Sequence, residues 1–128
     1  MKKLLLIVLA ALMLSACTQE GDTMKQGYIQ ITPQEAKEIM DTQEGYIILD
    51  VREQYEYDAG HIPGAILIPY TQIAEKAEGI LTDKSQLILV YCRSGRRSKI
   101  AAEKVAALGC AVVELDGGIL SWNGEIER

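Results

Sequence analysis

The segment Leu87-Ile88-Leu89-Val90-Tyr91 is a continuous apolar run that ends at Cys92-Arg93-Ser94-Gly95, a glycine-containing loop. A strand buried on both faces reads this way, and such strands belong to sheets covered by helices. From Ser98 to Leu108 the chain then predicts a helix, with Ala101, Ala102, Val105 and Leu108 on one face and Gly109 as the stop. Cys110 opens the next strand, Ala111-Val112-Val113. Strand, crossover helix and strand make a right-handed parallel unit, which puts Cys92 at the carboxyl edge of the sheet and Cys110 at the amino edge. Five residues of strand separate the two by ~16 Å, beyond the roughly 7 Å limit between the Cα atoms of a disulfide. Both thiols are therefore expected to stay unpaired.

The same pattern recurs upstream. Tyr28 to Ile31 predicts a first short strand, and Thr32-Pro33-Gln34-Glu35 supplies an N-cap, a proline at N1 and a capping-box glutamate for a helix to about Met40. Tyr46 to Leu49 is a second buried strand, with Asp50 at its carboxyl end on the edge that carries Cys92. Glu53 to Asp58 predicts a helical turn, Ala65 to Ile68 a third strand, and Thr71 to Glu78 an amphipathic helix. Five strands with interleaved helices in 128 residues give one α/β domain.

The first residues have another purpose. Lys2 and Lys3 precede an unbroken apolar run, Leu4 to Leu14, followed by Leu14-Ser15-Ala16-Cys17. This is the layout of a secretory signal, residues 1–16. As a helix the apolar run reaches only ~16 Å, against roughly 30 Å of bilayer hydrocarbon. Leu-Ser-Ala-Cys resembles the lipobox of bacterial lipoproteins, which implies cleavage before Cys17 and diacylation of its thiol. The expected product is exported and lipid-anchored to the bacterial membrane on its periplasmic or extracytoplasmic face. Residues 17–26 then form a polar tether and residues 27–128 the folded domain. The formal charge is −5, and loss of Lys2 and Lys3 leaves 11 basic against 18 acidic residues, or −7. Such a balance argues against nucleic acid as a partner.

Against this acidic background the loop after Cys92 holds Arg93, Arg96 and Arg97, with Lys99 just beyond. It leaves the carboxyl edge of a parallel strand, where open α/β sheets bind ligands, and enters a helix whose first amides lack partners. Gly95 lets the backbone curl so that successive N–H groups point inward as an anion cup. Such surroundings favour a thiolate and make Cys92 a candidate nucleophile for an anionic substrate. Cys110 reads instead as a small hydrophobe filling a gap between helix and sheet.

Cys92-Arg93-Ser94-Gly95-Arg96-Arg97-Ser98 resembles the active-site loop of rhodanese sulfurtransferases, Cys-x-x-Gly-x-Arg. Leu49-Asp50-Val51-Arg52 is similar to the Asp-Val-Arg segment of that family, and Gly60-His61-Ile62-Pro63-Gly64-Ala65 to its Gly-His-Ile-Pro-Gly-Ala turn. Gly117-Gly118 with Trp122 resembles the Gly-Gly-x-x-x-Trp ending. The likeness spans roughly Tyr28 to Trp122. It implies a rhodanese-like fold, a five-stranded parallel sheet with helices on both faces, and transfer of sulfane sulfur through a Cys92 persulfide. Thiosulfate, a polysulfide or a persulfide is the small anionic donor, and a thiol or cyanide the acceptor. Arg93, Ser94, Gly95, Arg96, Arg97 and Ser98 are then the substrate-binding residues, with Arg93 and Arg96 as candidates for contacting sulfonate oxygens. No cofactor is implied.

Cysteine-dependent phosphatases, including relatives that share the fold, use Cys-x5-Arg, whereas Arg97 follows Cys92 after four residues. The shorter loop suits one sulfur atom better than a phosphate and demotes the phosphatase or arsenate reductase reading. A tethered sulfur carrier without appreciable turnover is the other alternative. Asp50, Arg52 and Glu56 read as structural support, with Arg97 paired to Glu56 or Asp50 through charge-assisted hydrogen bonds. His61, between Gly60 and Pro63, reads as a satisfied loop histidine, and Trp122 as a cap on the core. One histidine and two distant thiols offer no metal-ligand cluster.

Overall fold

The computed structural model describes residues 27–128. The expected signal of residues 1–16, the lipidation site Cys17 and the tether of residues 17–26 lie outside the described residues. Five strands, β1 (Ile29–Ile31), β2 (Ile47–Asp50), β3 (Ile66–Leu67), β4 (Leu87–Tyr91) and β5 (Ala111–Leu115), form one sheet in the order β1-β5-β4-β2-β3. Every pairing is parallel. The helices are α1 (Pro33–Thr42), α2 (Gln54–Ala59), α3 (Ile73–Ile80), α4 (Arg96–Ala107) and α5 (Gly118–Ser121), with a 3-10 turn at Tyr70–Gln72. This is the α/β architecture that the apolar runs predict.

Two apolar clusters cover the two faces of the sheet, and the strand alternation sorts residues between them. Ile88, Val90 and Cys92 join Ala101, Ala102 and Val105 of α4 and Ile73 and Ala77 of α3. Leu89 and Tyr91 belong to the opposite cluster with Ala36 of α1 and, at its margin, Ile119 of α5 and Trp122. The continuous run of β4 thus follows from burial on both sides. Full burial of such side chains contributes about 1.5–3 kcal/mol each.

Thr32 caps α1 as its sequence predicts: its Oγ1 accepts from Glu35 N–H at 3.1 Å, and Glu35 Oε1 accepts from Thr32 N–H at 3.0 Å. Most boundaries shift from the sequence reading by a residue or two, and two of the shifts bear on the site. Helix α4 begins at Arg96, two residues before Ser98, so both arginines sit on its first turn. Strand β5 continues through Glu114 to Leu115, because the Glu114 side chain is buried and hydrogen-bonded and does not end the strand.

Candidate functional site

Cys92 follows the last residue of β4 and is 1% exposed. Its neighbour Gly95 takes φ +124° as the N-cap of α4, a backbone conformation that side-chain-bearing residues avoid. That turn aims the Gly95 amide at the sulfur, with N to Sγ 3.0 Å. The next amides, of Arg96, Arg97 and Ser98, are the first of the helix and have no acceptor within it. Lys99 N–H is the first to bond back, to Gly95 O at 3.2 Å. The sulfur therefore rests at the positive end of a 12-residue helix.

The outer side of the loop is clamped from α5. Ile119 N–H donates to Cys92 O at 2.9 Å and Leu120 N–H to Arg93 O at 3.1 Å, which turns both carbonyls away from the cup. Gly118, at φ +61°, makes this approach possible: a Cβ there would overlap the carbonyl groups of Arg93 and Cys92. Gly118 is thus part of the site, through a contact that sequence spacing alone does not reveal.

The cations divide into two kinds. Arg97 is bound at both terminal nitrogens by Glu56, Nη1 to Oε1 at 2.7 Å and Nη2 to Oε2 at 3.0 Å. That hydrogen-bonded pair holds the Glu56 carboxyl below the ordinary value and pushes the Arg97 guanidinium up. A charge on Cys92 also raises Arg97, so the two are within electrostatic reach. Arg93 and Arg96 are exposed and pair with no carboxylate among the described residues, although Arg96 stands 6.0 Å from the centre of the Tyr70 ring. Ser94 is exposed beside them. Ser98 departs from the substrate-binding expectation: it is fully buried, and its hydroxyl lies 2.6 Å from Glu114 Oε2, 3.0 Å from Gly95 O and 3.3 Å from Cys92 Sγ.

Asp50 and Arg52 form a separate framework. Arg52 donates from Nη2 to Asp50 Oδ2 at 2.7 Å and to Gly60 O at 2.7 Å, while Tyr91 O–H donates to Asp50 Oδ2 at 2.6 Å. Tyr91 in turn accepts from Ile62 N–H at 3.1 Å. Burial works against the Arg52 charge, but the bonds to Asp50 outweigh it and the guanidinium is raised; burial and Asp50 together push the Tyr91 phenol up. The Asp-Val-Arg segment and the Gly-His-Ile-Pro turn are therefore one structure, locking the ends of β2 and β4 beside the loop. His61 stays within that turn, its Nδ1 2.8 Å from Tyr57 O and its ring stacked on Tyr57.

Sequence reasoning missed Glu114, the one acid within the apolar run of β5 and fully buried beneath α4. The signal was available: strand periodicity puts Val112 and Glu114 on one face. A cavity of about 500 Å³, lined by Gln43, Tyr46, Pro63 and Ile66, opens at the amino edge of the sheet and contains no thiol. Among the described residues no group of three His, Cys, Asp or Glu side chains is placed to hold a metal ion.

Fold and site together define an α/β domain with a buried cysteine seated in a glycine-hinged loop at the head of a helix. The chain belongs to the rhodanese-like family, whose domain matches residues 32–125. It is 34% identical over 99 residues to the putative sulfur carrier protein YrkF of Bacillus subtilis, with 77% of this chain and 52% of YrkF covered. It is 34% identical over 96 residues to the putative sulfurtransferase YtwF of the same organism, covering 75% of this chain and 91% of YtwF. The chain thus spans nearly all of one relative and about half of the other. Among solved structures, a rhodanese-related protein of Thermoplasma volcanium matches with a TM-score of 0.70 at 31% identity, over 78% of this chain and 98% of that one.

Proposed function

We propose that the protein is an exported, lipid-anchored sulfurtransferase that carries sulfane sulfur as a persulfide on Cys92. The single observation that supports this most is the sulfur itself, held 3.0 Å from the Gly95 amide at the amino end of α4, in a loop whose Arg93 and Arg96 pair with no carboxylate among the described residues. In the reaction the Cys92 thiolate attacks the outer sulfur of thiosulfate. A new S–S bond forms, the bond to the sulfonate sulfur breaks, and sulfite leaves with that electron pair. The acceptor, a thiolate or cyanide, then takes the terminal sulfur and returns the Cys92 thiolate. Arg93 and Arg96 hold the sulfonate oxygens, and the free amides of Arg96 and Arg97 stabilise charge on the persulfide. The sequence of residues 1–17 supports export and acylation at Cys17.

A phosphoryl group fits less well. Four residues separate Cys92 from Arg97, and both terminal nitrogens of Arg97 are occupied by Glu56. One relative is named a sulfur carrier and another a sulfurtransferase, so turnover is the property to measure. Thiocyanate formed repeatedly from thiosulfate and cyanide, and lost in Cys92→Ser, supports the enzyme. A single loading of sulfur with no turnover on any acceptor thiol or cyanide makes the protein a carrier, and no loading at all overturns both. Metabolic labelling with palmitate and its loss in Cys17→Ser tests the anchor.

A further inference from the structure

Glu114 lies on an interior strand of the sheet, β5 between β1 and β4, and none of its surface is exposed. An ionised carboxyl group in such a place is strongly unfavourable unless it is paired or hydrogen-bonded. No arginine, lysine or histidine among the described residues forms an ion pair with it. Its Oε1 accepts from Gln30 Nε2 at 2.9 Å, and its Oε2 faces Ser98 Oγ at 2.6 Å. Ser98 Oγ in turn stands 3.3 Å from Cys92 Sγ, so the three residues form a continuous buried chain from the sheet to the thiol.

A hydroxyl has one proton to give and two lone pairs. With Glu114 ionised, the Cys92 S–H donates to Ser98 Oγ and the Ser98 O–H donates to Glu114 Oε2. With Glu114 protonated, its O–H donates to Ser98 Oγ, and the Ser98 O–H donates to a Cys92 thiolate that also accepts from Gly95 N–H. Both arrangements use the same heavy-atom positions and leave neither end of the chain unsatisfied, and Gly95 O, the other acceptor within reach of Ser98 Oγ at 3.0 Å, keeps its bond from Lys99 N–H in both. From this geometry we propose that Cys92 and Glu114 share one proton through Ser98, Glu114 holding it while Cys92 is the nucleophile.

The step balances. The S–H bond breaks, Ser98 receives that proton and passes its own to Oε2, and one negative charge moves from the carboxylate to sulfur. Cys92, itself 1% exposed, then becomes a thiolate without releasing a proton to solvent. The charge arrives beside the amides of α4 and the cations Arg93, Arg96 and Arg97, of which Arg97 is paired to Glu56 of α2. At the other end, Tyr28 is the titratable neighbour: burial, then Glu114 and Glu103, push its phenol up. The proposal rests on the sulfurtransferase reading for its purpose but not for its test. Glu114 acts through Ser98 and is a positioning residue for the proton.

The experiment is a titration of the full chain followed by thiolate absorbance, with Cys92→Ser subtracted so that the other thiols cancel. A shared proton makes the Cys92 signal rise in two steps, since the first ionisation is divided between sulfur and carboxyl and the second completes it. Glu114→Gln and Ser98→Ala each collapse the rise to one step, and Ser98→Thr restores two. A single step in the unsubstituted protein overturns the proposal, as does a two-step rise that persists in a folded Glu114→Gln or Ser98→Ala variant. Should those variants fail to fold, infrared difference spectra of the native protein across the second step of the thiolate rise decide it. Loss of a buried protonated-carboxyl stretch together with the gain of thiolate is expected, because that step removes the shared proton, and a thiolate rise with no carboxyl change overturns the proposal. Sulfur loading measured in parallel separates the two readings. A two-step titration without loading removes the proposed function alone, and loading with one step removes the shared proton alone.

Discussion

Cys92 and Cys110 are both free, both buried, at 1% and 6% exposure, and both members of the same apolar cluster. Burial and packing therefore do not distinguish the thiol that carries the chemistry. The difference lies in where each stands on its strand. Cys110 precedes β5 at the amino edge, where the chain arrives from the carboxyl end of α4. Cys92 follows β4 at the carboxyl edge, where the chain enters the amino end of the same helix. One helix thus presents its two electrostatic ends to two cysteines. Only Cys92 also gains an aimed amide, from Gly95, and a buried hydroxyl, from Ser98. The edge of the sheet, and not the depth of the thiol, sets the role.

The widest gap is expected from removing each sulfur in turn. Cys92→Ser abolishes sulfur loading from thiosulfate, whereas Cys110→Ala keeps loading within about twofold, since it acts only on packing. Intact mass after incubation reads both. Gly118→Ala comes next. Its methyl group collides with the Arg93 and Cys92 carbonyls and unseats the clamp, and a displacement of about 1 Å at the cup lowers the loading rate by roughly 100-fold. Gly79, inside α3 with open space around its Cα, is the matched control. Gly79→Ala stabilises the domain by about 0.5–1 kcal/mol and leaves loading unchanged.

A smaller effect should follow from Glu56→Gln, which leaves Arg97 without its carboxylate and destabilises the fold by about 1–3 kcal/mol in denaturant titration. The pH dependence has a definite sign. Glu56 is held below the ordinary glutamate value of 4.5 chiefly by its hydrogen bond with Arg97, so the native state takes up a proton there less readily than the unfolded chain. Its contribution is complete above that value and is lost as pH falls through the lowered one. The stability gap between native protein and Glu56→Gln should therefore narrow in acid and stay constant at neutral pH. A gap that widens in acid contradicts the assignment.

Much of this was legible in the sequence because the central strands are buried on both faces. Leu87 to Tyr91 cannot lie anywhere but inside a layered sheet, and the polar residues that close such strands, Asp50 and Cys92, fall on one edge. The Arg97 and Glu56 pairing was one of two expected partners, and the buried Asp50 turned out to hold Arg52 and Tyr91 instead. Harder to read was the direction of side chains whose types have two uses. Ser98 reads as the start of the helix and as a substrate ligand, but its hydroxyl turns inward and Gly95 occupies the cap, so the helix starts two residues earlier. Glu114 reads as the end of a strand because isolated acids seldom enter a sheet interior. Only Gln30 on one neighbouring strand and Ser98 above make its burial possible. The Gly118 clamp joins segments about 25 residues apart, a proximity set by the packing of α5 on the loop and not by any local rule.

The most direct test of the account is to locate the transferred atom. After incubation with isotopically labelled thiosulfate and proteolysis under non-reducing conditions, peptide mass mapping should place one labelled sulfur on the Cys92 peptide and none on the Cys110 peptide. Label on Cys110, or distributed between the two, would contradict the claim that position at the head of α4 makes one buried thiol the sulfur acceptor.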